Sequence, residues 1–417
     1  MSAWSVRAAW IFPGDRGPIA DAILMGDGTT ITGVLPSKRA ADSIRKSAVH
    51  WPEAAIIPGL INAHTHLEFS DLECPIEPRD RFADWIRAVI RSRLSSDRDV
   101  HHAVKSGLAE VHASGSAVIG EIATTSWERD LSEEIERWTS TSGAIVHFQE
   151  VLGFNPDLVE ERLRAIREDF LSQPKIPGWH PGISPHAPYS LHPDLFEGLC
   201  QLAQEYNVPV AMHLAESQAE IDLLNHQSGA LVALLREMNL WQDGLFRPGS
   251  RPLDYLIRLA KLPRVLLVHG NFLSQEEIEF VARQRRMSVV YCPRTHAAMR
   301  HPDHPWKMMR AAGIPVALGT DSRASNPDLS LWKELHWLHK KHPEEQASEL
   351  LGMATINGAH ALGLPDFGSL SAGKRAVFSR VDLSPISLKD PEQSLFQGTI
   401  HPVKIVKGMP TLVDNVF

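Results

Sequence analysis

Two histidines one residue apart, His64 and His66, close the apolar run "IPGLINAHTH". In a strand, residues i and i+2 share a face, so both imidazoles converge on one point where a cation fits. Comparable groups end the other short apolar runs: Glu121, Glu150, His186, His213 with Glu216 three residues on, His269, Cys292 with His296, and Asp321. Neutral imidazoles with a carboxylate suit one divalent ion, Zn2+ first and Fe2+ second, with His64, His66, His213 and Asp321 as its ligands. A further position stays open for water, whose pKa such an ion lowers from about 15.7 toward about 7. Glu216, where the chain leaves its strand, is placed to move a proton between that water and a leaving group without ligating. His269 is placed either to stabilise charge on a tetrahedral intermediate or to orient the water. Glu68, two residues past His66, faces the same pocket if strand alternation continues.

Such a set needs a frame that gathers strand ends. Eight apolar runs, at 55–66, 116–124, 143–153, 180–190, 208–216, 264–270, 287–293 and 314–322, lack polar alternation and read as strands buried on both faces. Segments 157–171 and 274–286 carry apolar residues at helical spacing, and Ser274 with Glu277 offers a capping box. The pattern predicts an α/β fold, a (β/α)8 TIM barrel over 57–362 with its chemistry at the strand C-termini. Residues 240–256, between the fifth and sixth strands, are rich in Gly and Pro and could overhang the site. Whether 217–263 makes a lid stays open. The flanks, 1–56 and 363–417, read as antiparallel strands and predict a small β-sandwich built from both chain ends. The G-x-x-x-x-G-K match at Gly368 to Lys374 has Arg375 where a phosphate loop needs Ser or Thr, and is set aside.

The 417 residues hold 42 Lys plus Arg against 50 Asp plus Glu, which leaves no basic footprint for nucleic acid or an anionic membrane. Three widely spaced cysteines give no disulfide framework and fit a reducing, cytoplasmic setting. No apolar stretch approaches the roughly 20 residues of a spanning helix, and Arg7 and Pro13 interrupt any leader-like run. The expected partner is a small-molecule substrate, with the chain assembled as a homodimer.

The segments "PGLINAHTH", "HLAE", "VHG" and "GTDS" resemble the amidohydrolase superfamily, in its cytosine-deaminase and triazine-hydrolase branch. The likeness covers nearly the whole chain, including "ATINGAHALGL" and "GSLSAGKRA". It implies the same four ligands, Glu216 as proton shuttle, His269 as the histidine after strand six, and Asp321 as a further proton acceptor. Dinuclear members carry a bridging lysine at the fourth strand; "SPHAPYS" has His186 instead, which argues for one metal and the deaminase branch. In similar deaminases that histidine contacts the substrate. Relatives acting on S-adenosylhomocysteine or methylthioadenosine usually show C-P-x-S-N after strand seven, whereas this chain has "CPRTH", with Arg294 and His296 near the pocket. The resemblance therefore leans toward aminodeoxyfutalosine deaminases of menaquinone synthesis, whose substrate carboxylate suits an arginine. The implied reaction is hydrolytic deamination: water adds at a ring carbon bearing an amine, Glu216 protonates a ring nitrogen, and ammonia leaves. A chloro- or amidohydrolase, and a binder without activity, are the competing readings.

Overall fold

The computed structural model describes residues 3–77, 82–94, 98–125, 127, 130–140, 143–172 and 176–413. The outermost residues of the expected terminal domain, 1–2 and 414–417, lie outside that range. The chain opens with β1 (Ala3–Ile11), β2 (Ile19–Asp27), β3 (Thr30–Pro36) and β4 (Val49–Pro58), then turns at Gly59 into a second sheet. That sheet holds β5 (Leu60–His66), β6 (Ser116–Ala123), β7 (Ala144–Val151), β8 (Trp179–Pro185), β9 (Val210–Leu214), β10 (Val265–His269) and β11 (Met287–Tyr291). Its eighth strand is in two pieces, β12 (Val316–Leu318) and β13 (Asp321–Ser322). The chain then returns to the first sheet as β14 (Phe378–Asp382), β15 (Thr399–Val406) and β16 (Met409–Leu412).

All pairings in the second sheet are parallel, and strands follow in sequence order. β12 pairs with β11 while β13 pairs with β5, so the split strand closes the ring as a barrel of the TIM type. Every residue of β5, β9, β10, β11 and β12 is buried, which is why these runs show no alternation. Gly319, between β12 and β13, sits where a Cβ would lie 2.8 Å from the His64 carbonyl oxygen. Only glycine lets the two backbones come so close.

The expected helices form, with shifted ends. One runs Val159–Ser172 behind a 3-10 turn at Pro156–Leu158, and another runs Gln275–Ala282 under the Ser274–Glu277 capping box. The long connection after β9 holds helices Gln218–His226, Ala230–Glu237 and Pro252–Leu259. The second of these packs on helix Phe82–Arg93, with Arg87 Nη2 2.7 Å from Glu237 Oε2.

Both chain ends meet in one seven-stranded sheet, ordered β16-β15-β14-β4-β1-β2-β3. It departs from an all-antiparallel pattern in one place, because β1 and β4 are parallel. Helix Asp42–Ser47, between β3 and β4, supplies the crossover that a parallel neighbour requires. The sheet has a core of its own, with Trp4, Val6, Leu24, Ile31, Ile56 and Phe378 buried together. Among the described residues no helix is long and apolar enough to cross a membrane.

Candidate metal centre and active site

At the C-terminal rim of the barrel, nitrogens of His64, His66 and His213 lie within 4.8 Å of one another. His64 and His66 come from one face of β5 and His213 from β9. Both ring nitrogens of His64 and Nδ1 of His66 are buried without a hydrogen-bond partner. Nδ1 of His213 donates to the His186 carbonyl at 3.0 Å, which turns its Nε2 to the cluster. Asp321 closes the set, its Oδ1 3.6 Å from His64 Nε2 and 3.7 Å from His66 Nε2. These separations are too long for hydrogen bonds. They suit atoms that share an ion, since ligands about 2.1 Å from a tetrahedral centre stand about 3.4 Å apart.

The protonation states fit as well. Burial, then the neighbouring His64, push His66 well below the ordinary imidazole range; burial, then His186, do the same to His213. Burial works against ionising Asp321, but His64, His269 and His66 outweigh it and hold the carboxyl well below its usual range. Neutral imidazoles beside a carboxylate are the forms that ligate. Orphaned buried nitrogens converging on one point are otherwise costly, and a divalent ion resolves them.

Glu216 stands beside this cluster. Ala215 before it takes a left-handed backbone, φ 53°, and the buried Glu220 carboxylate accepts the N–H groups of Ala215 at 2.8 Å and Glu216 at 2.9 Å. That turn lifts Glu216 out of the strand register. Its Oε2 accepts the Tyr189 hydroxyl at 3.0 Å, and its Oε1 lies 3.5 Å from His269 Nε2. Burial, then the charges of Asp321 and Glu220, raise its pKa well above the usual carboxylate value, so it can hold a proton at neutral pH. His269, at φ 70°, and Asp321, at φ 57°, are also left-handed. Non-glycine residues held there mark strain that the surrounding fold sustains. His304 Nε2 donates to the His269 carbonyl at 2.8 Å and braces one of these positions. A cavity of about 620 Å³ opens above the cluster, bordered by His66, His186, His213, Glu216, His269 and Asp321.

Residues 55–409 match the amidohydrolase family. The chain belongs to the amidohydrolase family. Among relatives, it is 26% identical to the aminodeoxyfutalosine deaminase of a Nitratiruptor species, across 88% of this chain and 90% of that one. It is 30% identical to the aminodeoxyfutalosine deaminase of Deinococcus radiodurans, across 77% and 78%. It is 26% identical to the 5-methylthioadenosine/S-adenosylhomocysteine deaminase of Teredinibacter turnerae, across 93% and 85%. Two solved structures share the fold. One is the aminofutalosine deaminase of Helicobacter pylori in complex with methylthio-coformycin (TM-score 0.83, 21% identity, 98% of this chain and 100% of that one). The other is the zinc complex of atrazine chlorohydrolase from Arthrobacter aurescens (TM-score 0.76, 21% identity, 99% and 95%).

In this amidohydrolase, three residues expected at the substrate lie elsewhere. Glu68 is not on the cavity wall, because β5 ends at His66 and a 3-10 turn, Leu67–Phe69, breaks the alternation. Its carboxylate is spent on the backbone and hydroxyl groups of Thr124 and Thr125, at 2.5 to 3.0 Å. Arg294 points away, its Nε 2.6 Å from Glu334 and its Nη2 2.8 Å from Asp328. His296 faces Asn271 Oδ1 at 3.1 Å and the Pro302 carbonyl at 2.8 Å. It touches the site only indirectly, since Asn271 Nδ2 donates to the Glu216 carbonyl at 2.9 Å. His186 is on the wall, its Nδ1 2.7 Å from Ser190 Oγ, and burial takes its pKa to about 3.

The wall also carries residues that the sequence reading left unassigned: Arg93, Arg162, Tyr189 and Glu150. Arg93 ends helix Phe82–Arg93 over the Phe69 ring, 5.1 Å from its centroid. Arg162 has no hydrogen-bond or ion-pair partner among the described residues, and its Nη1 would be 2.2 Å from a Cβ at Gly153. That glycine was the available signal, but it sits nine positions from the arginine it accommodates. Leu231, Leu234, Leu235, Met238 and Leu240 make an apolar side of the cavity.

Proposed function

We propose that this amidohydrolase is a metal-dependent hydrolytic deaminase acting on a nucleoside-like amine, with an aminodeoxyfutalosine-type substrate the first candidate. The observation that carries the reading is the buried Glu216 carboxyl, 3.5 Å from His269 Nε2, beside three converging imidazoles and Asp321, all inside one rim. The names of the curated relatives support deamination, and the analogue bound to the Helicobacter pylori neighbour supports a nucleoside-like head. His64, His66, His213 and Asp321 would hold a single divalent ion, Zn2+ in the first instance and Fe2+ in the second. Such an ion supplies Lewis acidity and lowers the pKa of water in its open position.

The remaining work falls to the chain. Asp321, held ionised, takes the proton of the attacking water. Glu216 gives its proton to a ring nitrogen as the ring carbon becomes tetrahedral; Asp321 then passes the water's proton to the departing amine, and Glu216 takes the hydroxyl proton as the carbonyl forms, which restores both groups. Neutral His269 donates toward the developing oxyanion, braced from behind by His304. His186 positions the substrate beside them. The arginine role assigned in the sequence to Arg294 passes to Arg162 and Arg93, which line the cavity and suit a carboxylate at the far end of the substrate. Leu231, Leu234 and Leu235 then cover an apolar arm between the two ends.

A second reading, deamination of methylthioadenosine or S-adenosylhomocysteine, is supported by the Teredinibacter relative and uses the same residues. We also assign the chain a cytoplasmic homodimer, with 57–362 as the catalytic barrel and 1–56 plus 363–417 as a small sandwich. For the sandwich, the support is the buried core shared by strands from both ends, which the single seven-stranded sheet would enclose by folding over on itself.

Ammonia release tests the reading. Zinc-loaded protein is given aminodeoxyfutalosine, S-adenosylhomocysteine, methylthioadenosine and adenosine, with chloride release from chlorotriazines as the control. Ammonia is expected, and chloride release alone would transfer the protein to the chlorohydrolases. His213→Ala should lose metal and turnover together. Glu216→Gln should keep the metal and lose turnover at least about 100-fold; normal turnover in that variant removes Glu216 from the mechanism.

A further inference from the structure

Glu150 has no part in the chemistry above, yet it is the most unusual carboxylate on the cavity wall. It is the penultimate residue of β7, its side chain is 1% exposed, and it faces the substrate space. One oxygen, Oε2, lies 3.4 Å from Arg93 Nη1. The other, Oε1, is buried with no hydrogen-bond partner at all. His186 Nε2 stands 3.7 Å from that oxygen, beyond hydrogen-bond reach. The Ser190 hydroxyl donates its one proton to the Ala187 carbonyl at 3.0 Å, so at 2.7 Å it accepts from His186 Nδ1–H. Nε2 of His186 is then a lone pair. Two acceptors sit side by side, and among the described residues nothing donates to them.

Three kinds of ligand could satisfy such a pair. A second cation is the first, because Glu150, His186 and His213 offer ligand atoms within 4.8 Å of one another. But His213 has only one free nitrogen, its Nδ1 being bonded to the His186 carbonyl, and that nitrogen is already needed beside His64 and His66. An ammonium group is the second, and the guanidinium of Arg93 beside Glu150 repels it. Neutral hydroxyls are the third, and neither objection touches them.

We propose that Glu150, with His186 beside it, binds adjacent hydroxyl groups of the substrate, the sugar diol of a nucleoside, and so rejects molecules that lack them. This deepens the deaminase reading and rests on it for the nucleoside head. Binding an analogue without the hydroxyls leaves a desolvated carboxylate unpaired, which weakens binding about 10- to 100-fold.

The test measures dissociation constants by calorimetry for adenosine and 2′,3′-dideoxyadenosine, on zinc-loaded wild type, Glu150→Gln and Glu150→Ala, with metal content and ammonia release read in parallel. Wild type should prefer adenosine by about 10- to 100-fold. Glu150→Ala should bring the two ligands within about threefold while metal content stays unchanged. Glu150→Gln keeps the side chain's shape, and should fall between them if the alanine variant is poorly folded. Equal binding of both ligands by wild type overturns the proposal, as does a preference that survives both substitutions. A second equivalent of zinc that disappears in Glu150→Gln overturns it in favour of a cation site. Ammonia release without discrimination sinks this inference alone; failure to bind or deaminate any nucleoside sinks the deaminase reading with it.

Discussion

Arg294 and Arg162 exchange the roles that their positions in the sequence suggest. Arg294 follows a barrel strand directly, yet its guanidinium pairs Asp328 and the fully buried Glu334. Arg162 lies on the helix Val159–Ser172, read in the sequence only for its apolar spacing, yet it lines the cavity. Removing Arg294 therefore leaves a buried carboxylate without its counter-charge, which costs about 3–5 kcal/mol. Arg294→Met should lower the melting temperature markedly and leave the preference for carboxylate-bearing over neutral substrates unchanged. Arg162→Met should do the reverse, with native stability and KM for a carboxylate-bearing substrate raised about 10- to 100-fold, as loss of a charge-assisted pair implies. Equal effects of both variants on that preference would return Arg294 to the site. His64, His66 and His213 were legible because their types and the strand ends coincide. The arginines and Glu68 were not, since one needs the path of a helix over the rim and the other hinges on a three-residue turn after His66.

Among the elements, the eight barrel strands were readable because burial on both faces strips them of alternation. The break in the eighth was not, since it depends on how β12 and β13 pair with different neighbours. Gly319 sits at that break, and a methyl group there would lie 2.9 Å from the His64 Cβ as well as 2.8 Å from its carbonyl oxygen. Gly319→Ala must push β5 outward or twist His64 from its position, at a cost of about 1–3 kcal/mol. The variant should keep a native circular dichroism spectrum and bind zinc at least about 10-fold more weakly, because ligand placement tolerates little error. Unchanged affinity would mean that the strand closure and the metal cluster are independent. The connection after β9 shows a similar limit of the sequence. Its Gly- and Pro-rich part, 240–256, suggested an overhang, whereas this connection's share of the cavity wall comes mainly from helix Ala230–Glu237 just before it, held to helix Phe82–Arg93 by Arg87 and Glu237. Amphipathic spacing was there to be read, but the face that meets the cavity is set by a partner 150 residues away, Arg87 to Glu237.

For the molecule as a whole, proton uptake divides the buried groups into two opposed sets. Burial raises the carboxyls of Glu121, Glu150, Glu216 and Glu220, the last to about 7. Their contribution to stability is present at low pH and falls as pH rises through those values. Burial lowers His147 and His304 to about 3 and His112 to about 4. These imidazoles stay neutral in the fold and take up protons once unfolded, below about 6.5, so their contribution is lost as pH falls. The wild-type profile mixes both sets, and a single substitution separates them. His147, stacked on Trp179 at 4.7 Å and away from the metal cluster, is the best probe. His147→Phe removes one titrating group and keeps an aromatic ring. Whatever fixed offset the lost ring nitrogens impose, the pH-dependent part comes from the proton alone. Between pH 7 and pH 5 the variant should gain about 2 kcal/mol relative to wild type, read from urea unfolding of the two zinc-loaded proteins. A constant difference across that range would mean that His147 takes up its proton in the fold at the same pH as in the unfolded chain, and that burial does not govern its charge.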